Sequence, residues 1–183
     1  MSIKNLLRMG HPLLRVEAKN LSLEEILSSE TKTIIEDLKE CMKYYGGVGI
    51  AAPQIGISKK IAILEVLNTN PRYNITEDYP LTVFINPKIT VLDSTPQGYW
   101  EGCLSVPGLR GYVERPSKIQ VDFQDENGKS QLIIAQGFIA TVFQHELDHL
   151  FGKLYVDHVK DTKLLSYNEE YEQFIKIQDQ GSV

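Results

Sequence analysis

The spacing of apolar positions changes along the chain, and each spacing predicts an element. From Thr33 onward, Ile34, Ile35, Leu38, Cys41, Met42 and Tyr45 fall on one face of a helix, and Gly46 and Gly47 supply its stop. A mostly apolar run over residues 60–66 predicts a strand, and residues 81–85 and 89–92 predict two more, turning at Asn86-Pro87. Between these runs, residues 67–80 are polar and rich in Asn, Asp and Pro, the composition of a long surface loop. Alternation at Ile119, Val121 and Phe123 marks residues 118–124 as a strand; residues 125–128 turn it into residues 132–134, an antiparallel hairpin.

A second helical stripe, Phe138, Val142, His145 and His149, predicts a buried, central helix over residues 137–151 that Gly152 ends. A last helix at about residues 166–178 opens on Ser166, which has capping-box spacing to Glu169, and carries Tyr167, Tyr171, Phe174 and Ile175 on one face. Near the N-terminus, Gly10 and Pro12 make residues 8–15 an irregular lead-in with a short turn of helix, and His11 beside them has no assigned role.

Composition narrows the class. With 183 residues, 42% of them hydrophobic, the chain suffices for one domain with a substantial core. A net charge of −5 without a Lys/Arg cluster among aromatics excludes broad electrostatic binding to nucleic acid, so no direct nucleic-acid partner is expected. No stretch could span a bilayer, and residues 1–15 carry Lys4, Arg8 and Arg15 without the apolar run of a signal peptide, so a soluble, cytoplasmic protein is expected. Cys41 and Cys103 have no reason to pair in a reducing compartment. Cys41 lies on the first helical stripe and reads as a small buried hydrophobe.

The chemistry concentrates in Gln144-His145-Glu146-Leu147-Asp148-His149. Residues four apart share a helix face, so His145 and His149 can present two imidazoles to one metal ion, while Glu146 is placed to take a proton from water. A catalytic metal of this kind keeps three protein ligands. The third is open between Asp157 or His158 downstream and the soft ligand Cys103 upstream. A second unusual stretch, Gly47-Val48-Gly49-Ile50-Ala51-Ala52-Pro53-Gln54 followed by Gly56, lets backbone approach a ligand or another strand closely. It has neither the ending of a phosphate loop nor the spacing of a dinucleotide fingerprint.

Taken in order, that glycine-rich stretch, Glu101-Gly102-Cys103-Leu104-Ser105 and the two-histidine segment make the chain resemble the peptide deformylases, with agreement continuing through Arg110 to Pro116 and Gly152 to Asp157. The resemblance spans most of residues 8–158. It implies an α+β fold: a single catalytic domain over residues 1–183, with antiparallel β-sheets packed around a central metal-bearing helix. It implies removal of the formyl group from the N-terminal methionine of newly made proteins, with release of formate. Cys103, His145 and His149 would then hold the metal, Glu146 would serve as general acid and base, and Gln54 with the Leu104 N–H would face the oxyanion. Val48, Gly49, Tyr99, Phe138, Thr141 and Val142 would bind substrate, His145 would share the methionine pocket, and Arg110 would face the peptide backbone. Thr141 is more polar than that pocket leads one to expect. One divalent ion is implied, iron(II) in the cell, although the same ligands admit zinc, nickel or cobalt.

The implied partners are N-formylmethionyl nascent peptides. The chain departs from the family's pattern in its longer segment at residues 67–80. It also lacks a basic C-terminal helix for transient ribosome contact, since residues 157–183 hold three lysines against six acids. Arg115 and Asp148, both in matching segments, are expected to pair, because a carboxylate beside His149 would be buried and need a partner. Two other readings compete: a zinc endopeptidase with a downstream third ligand and no use for Cys103, and a non-catalytic metal-binding homologue. The second has no need of both Glu146 and Gln54.

Overall fold

Ser22 and Ser28 each open a helix. The Ser22 hydroxyl accepts from the Glu25 N–H (3.2 Å) while the Glu25 carboxylate accepts from the Ser22 N–H (2.7 Å), starting α1, Leu23–Leu27. The Ser28 hydroxyl then accepts from the Thr31 N–H and starts α2, Ser29–Tyr45, which Gly46 ends in the left-handed conformation at φ 67°. Hence α2 begins earlier than its apolar stripe predicts, and α1 precedes it. The computed structural model describes residues 3–67 and 78–176, so most of the surface loop expected over 67–80 lies outside the described residues.

Six antiparallel strands follow: β1 (Gly49–Ala51), β2 (Ile61–Val66), β3 (Tyr79–Cys103), β4 (Val106–Gln124), β5 (Ser130–Gln136) and, near the C-terminus, β6 (Leu165–Tyr167). The first five lie in chain order and β6 pairs with β4. No turn forms at Asn86-Pro87. The chain continues there as a bulge in β3, with Asn86 at φ 51° and the register to β4 shifting between Ile85 and Lys88. Asn86 stays in this conformation because its side chain bonds both backbone groups of Leu21 (2.8 Å each) and Gln124 Oε1 (2.9 Å). The predicted pieces 81–85 and 89–92 are therefore one strand, which continues to Cys103.

Helix α3, Gly137–Asp148, packs on this sheet from the side opposite α2. In β2, Ile61 and Ile63 join the core of Ile34, Ile35, Leu38 and Cys41, while Ala62 and Leu64 join that of Ala140, Phe143, Leu147 and Leu150. A strand buried on both faces carries apolar residues on both, which is why residues 60–66 read as a run rather than an alternation. Cys41 is fully buried, as its place on the stripe predicts, and both cysteines are free.

Helix α3 stops at Asp148 rather than continuing to Phe151, because Leu150 and Phe151 turn back onto Leu147 and Asp148 and the chain crosses itself at Gly152. There a Cβ would lie 2.7 Å from the Arg15 backbone. The C-terminal helix likewise differs from expectation. Ser166 lies in β6, its backbone engaged with β4 and its hydroxyl donating to the Tyr167 carbonyl (3.0 Å), so it caps nothing. Helical structure begins with Asn168–Glu170 and continues as a π-helical stretch, Tyr171–Ile175. At the other end, Leu7 N–H donates to the Gln54 carbonyl and Met9 N–H to the Ser105 carbonyl (2.8 Å each), a strap across two of the segments singled out above.

Candidate active site

His145 lies on α3 and His149 follows as its C-cap, still in helical conformation (φ −58°, ψ −29°), so the four-residue spacing holds. Their rings are 5.2 Å apart. Cys103 ends β3 where the chain turns through Leu104 and Ser105 into β4, and its Sγ is 3.3 Å from His149 Nε2. One ligand atom from each of Cys103, His145 and His149 lies within 4.8 Å of the others. Sulfur with two imidazole nitrogens is a donor set that suits zinc, iron(II), cobalt or nickel. The downstream residues are engaged elsewhere: Asp157 caps the Leu154 N–H and pairs with Arg15, and His158 bonds Asp148.

Behind the three ligands runs a buried network of charges. Glu101 accepts from His145 Nδ1 (2.7 Å) and, through both oxygens, from Arg115 (2.6 and 3.0 Å). Arg115 also donates to Asp148 (2.8 Å), as the sequence predicts, and Asp148 meets His158 Nε2 at 2.8 Å. Glu101 carries no role in the sequence reading, and His158, there a candidate third ligand, is instead a partner of Asp148. The signal for Glu101 is its offset of two from Cys103, which puts both on one face of a strand. The pairing of His158 with Asp148 has no such signal.

This network directs the site's charge. Burial pushes the Cys103 thiol up, but the imidazoles of His149 and His145 outweigh it and bring it down to about 5. Burial opposes protonation of His145, yet Cys103 and Glu101 raise its proton affinity, and Cys103 does the same for His149. A field that draws protons onto these nitrogens also favours a divalent cation bound to them.

Glu146 is raised by burial, and its Oε2 makes no hydrogen bond among the described residues. It packs against Gly49, where a Cβ would lie 2.5 Å from the carboxylate carbon. The glycine-rich stretch thus permits a close approach of strand to acid. Gln54 is buried in the 3₁₀ turn Ala52–Ile55. Its Oε1 accepts from the Ala51 N–H (2.8 Å), which aims Nε2 at Ser105 Oγ (3.2 Å) and Cys103 Sγ (3.7 Å).

A cavity of about 500 Å³ is bordered by Gly49, Gln54, Cys103, Leu104, His145 and Glu146, and Arg110 also lines it. A narrower one of about 40 Å³ is bordered by Val48, Tyr99, Phe138, Thr141, Val142 and His145, the residues expected for the methionine pocket. The polarity of Thr141 is accounted for: its hydroxyl accepts from Gln97 Nε2 (3.1 Å).

Comparison with known proteins points the same way. A family model described as polypeptide deformylase matches residues 3–164. The peptide deformylase of Leptospira biflexa is 46% identical over 179 residues, covering 98% of this chain and 100% of that protein. Peptide deformylase 2 of Pseudomonas syringae pv. tomato is 45% identical and covers 87% of this chain and 88% of its own length. Among solved structures, the Met-Ala-Ser-bound class I type b peptide deformylase from Acinetobacter baumannii superposes with a TM-score of 0.82 at 35% identity, covering 86% of this chain and 99% of the other.

Proposed function

The chain belongs to the polypeptide deformylase family, and we propose how its own residues carry out the reaction. It is a hydrolase that removes the N-formyl group from the terminal methionine of newly made proteins. The reading of its machinery is carried by one observation: Cys103, His145 and His149 bring their ligand atoms together at the cavity that Cys103, His145, Glu146 and Gln54 line.

In this reading Cys103, His145 and His149 hold one divalent ion, iron(II) in the cell. Such an ion supplies Lewis acidity and makes water a usable nucleophile near neutral pH. Glu146, with a carboxyl raised by burial, takes the proton from water and returns it to the departing α-amine. Gln54 Nε2 and the Leu104 N–H donate to the formyl oxygen as charge develops on it, each such donor contributing on the order of 3 kcal/mol. Glu101 fixes the His145 ring through Nδ1, leaving Nε2 for the metal. The narrow cavity takes the methionine side chain. Gly49, on the sheet edge β1, gives the peptide backbone a strand to pair with. The substrates are formylmethionyl nascent peptides, met in the cytoplasm. No helix among the described residues is long and apolar enough to cross a membrane.

The test is formate release from a formyl-methionyl peptide by protein purified without oxygen, with metal content measured on the same sample. Turnover that rises with iron occupancy is expected. Metal-loaded protein that releases no formate would overturn the reading. An endopeptidase would instead bind metal undiminished after Cys103→Ala.

A further inference from the structure

The larger cavity extends beyond the residues used above, and its wall includes Arg8, Arg110 and Asn168. Arg8 is exposed and Arg110 half-buried, and neither forms an ion pair with a described residue. The one carboxylate among the described lining residues is Glu146, packed against Gly49 beside the histidines. In a chain of net charge −5, this groove therefore collects positive charge that no ion pair among the described residues neutralises.

Arg110 is held rather than free. It pairs in register with Gly102, next to Cys103, on one side and with Ser166 of β6 on the other. Its guanidinium carbon lies 4.9 Å from the centre of the Tyr171 ring, and its Nε is buried without a hydrogen bond among the described residues. Tyr171 in turn packs against Trp100 (5.2 Å between rings), and Trp100 packs against Tyr112 (6.0 Å). The C-terminal segment is thus built into the groove, with β6 beside the strand that carries Arg110 and the following helical turn stacking on its side chain. A planar cation stacked on a ring keeps its edge available to a planar anion.

We propose that Arg8 and Arg110 make this enzyme prefer peptides carrying a carboxylate in the two residues after the formylmethionine, and that Tyr171 is the positioning residue that holds Arg110 toward the groove. The inference rests on the deformylase reading. It gives the C-terminal segment a role in substrate selection, which its acidic charge does not hinder.

The experiment measures formate release by the metal-loaded full chain from formyl-Met-Ala-Glu-amide, formyl-Met-Glu-Ala-amide and formyl-Met-Ala-Gln-amide. A fourth peptide, formyl-Met-Ala-Gln with a free C-terminus, separates a terminal carboxylate from a side-chain one. At low salt, kcat/KM for at least one acidic amide should exceed that of the Gln amide by about three- to fivefold, carried by KM, and the gap should close as salt rises. A gain confined to the free acid would keep the carboxylate preference and assign it to a chain end. Tyr171→Leu, which keeps an apolar body without a ring, should bring the ratio to about one, whereas Tyr171→Phe should retain it. Arg110→Gln supplies the same loss should Tyr171→Leu not fold. Equal efficiency on all four peptides would overturn the proposal while leaving the deformylase reading intact; no formate from any of them would overturn both. An undiminished ratio in folded Tyr171→Leu would remove Tyr171 from its role.

Discussion

Gly49 and Glu146 compete for one space. A methyl group at residue 49 would overlap the Glu146 carboxylate at 2.5 Å, so Gly49→Ala should push the acid aside without touching a metal ligand. We expect metal content near that of the wild type and kcat lower by about a hundredfold, the scale of loss for a group misplaced by about an ångström. Glu146→Gln should go further, retaining metal and losing on the order of a hundred- to ten-thousand-fold in kcat, since only proton transfer is removed. Near-normal formate release by either variant would contradict the role given to Glu146. Cys103 carries the third prediction at this scale. Its thiol is brought down to about 5, so the sulfur is a thiolate at neutral pH, and beside iron(II) it is open to oxidation in air. Activity of the iron form should decay aerobically while nickel- or cobalt-loaded protein keeps its activity. Equal decay for every metal would point to unfolding.

Arg115 joins three elements, β4 on which it lies, β3 through Glu101 and α3 through Asp148, and so couples the Cys103 strand to the two histidines. Arg115→Ala strips the guanidinium from two carboxylates, buried Glu101 and half-buried Asp148, leaving each only its histidine, and Asp148→Asn removes one charge, so the first should be the more destabilising, by several kcal/mol, and the double change should cost less than the sum. Strictly additive unfolding free energies would dissolve the link. The pH dependence has a definite sign. Burial pushes Asp148 up, but His158 and Arg115 outweigh it and hold it at about 2 against an ordinary 3.8. A depressed carboxyl contributes stability that is present above its unfolded value and is lost as pH falls toward the folded one. About 2 kcal/mol should therefore disappear between pH 3.8 and about 2, visible as wild-type and Asp148→Asn stability curves that converge over that window. The Arg115–Asp148 pair is legible in sequence because a buried charge demands a partner. Glu101 is not, because the strands that bring it there are hidden: Pro96, Gly98, Gly102, Pro107, Gly108, Gly111 and Pro116 break every alternation between residues 92 and 118. Asn86-Pro87 misleads in the opposite sense, as its local chemistry is that of a turn while its side-chain bonds to Leu21 and Gln124 make it a bulge. The capping box at Ser22 and Glu25 is readable, yet Ser166 and Glu169 have the same spacing and form none, since strand pairing claims Ser166 first.

Across the whole molecule, the residues that converge on the cavity are drawn from positions 5 to 168, and a sheet buried on both faces holds them. A metal bound by Cys103, His145 and His149 bridges β3 and α3, so its removal should lower the melting temperature of the entire domain, and stoichiometric zinc or nickel should restore it. Unchanged melting after chelation would mean that no ion is held there. The N-terminal strap carries a consequence in time. Leu7 and Met9 are made before their backbone partners, Gln54 and Ser105, and the stacking partner of Arg110, Tyr171, is made later still. During synthesis the strap residues wait for the middle of the chain and Arg110 waits for Tyr171, so a polypeptide released before His149 lacks a member of the ligand group it would use on its neighbours.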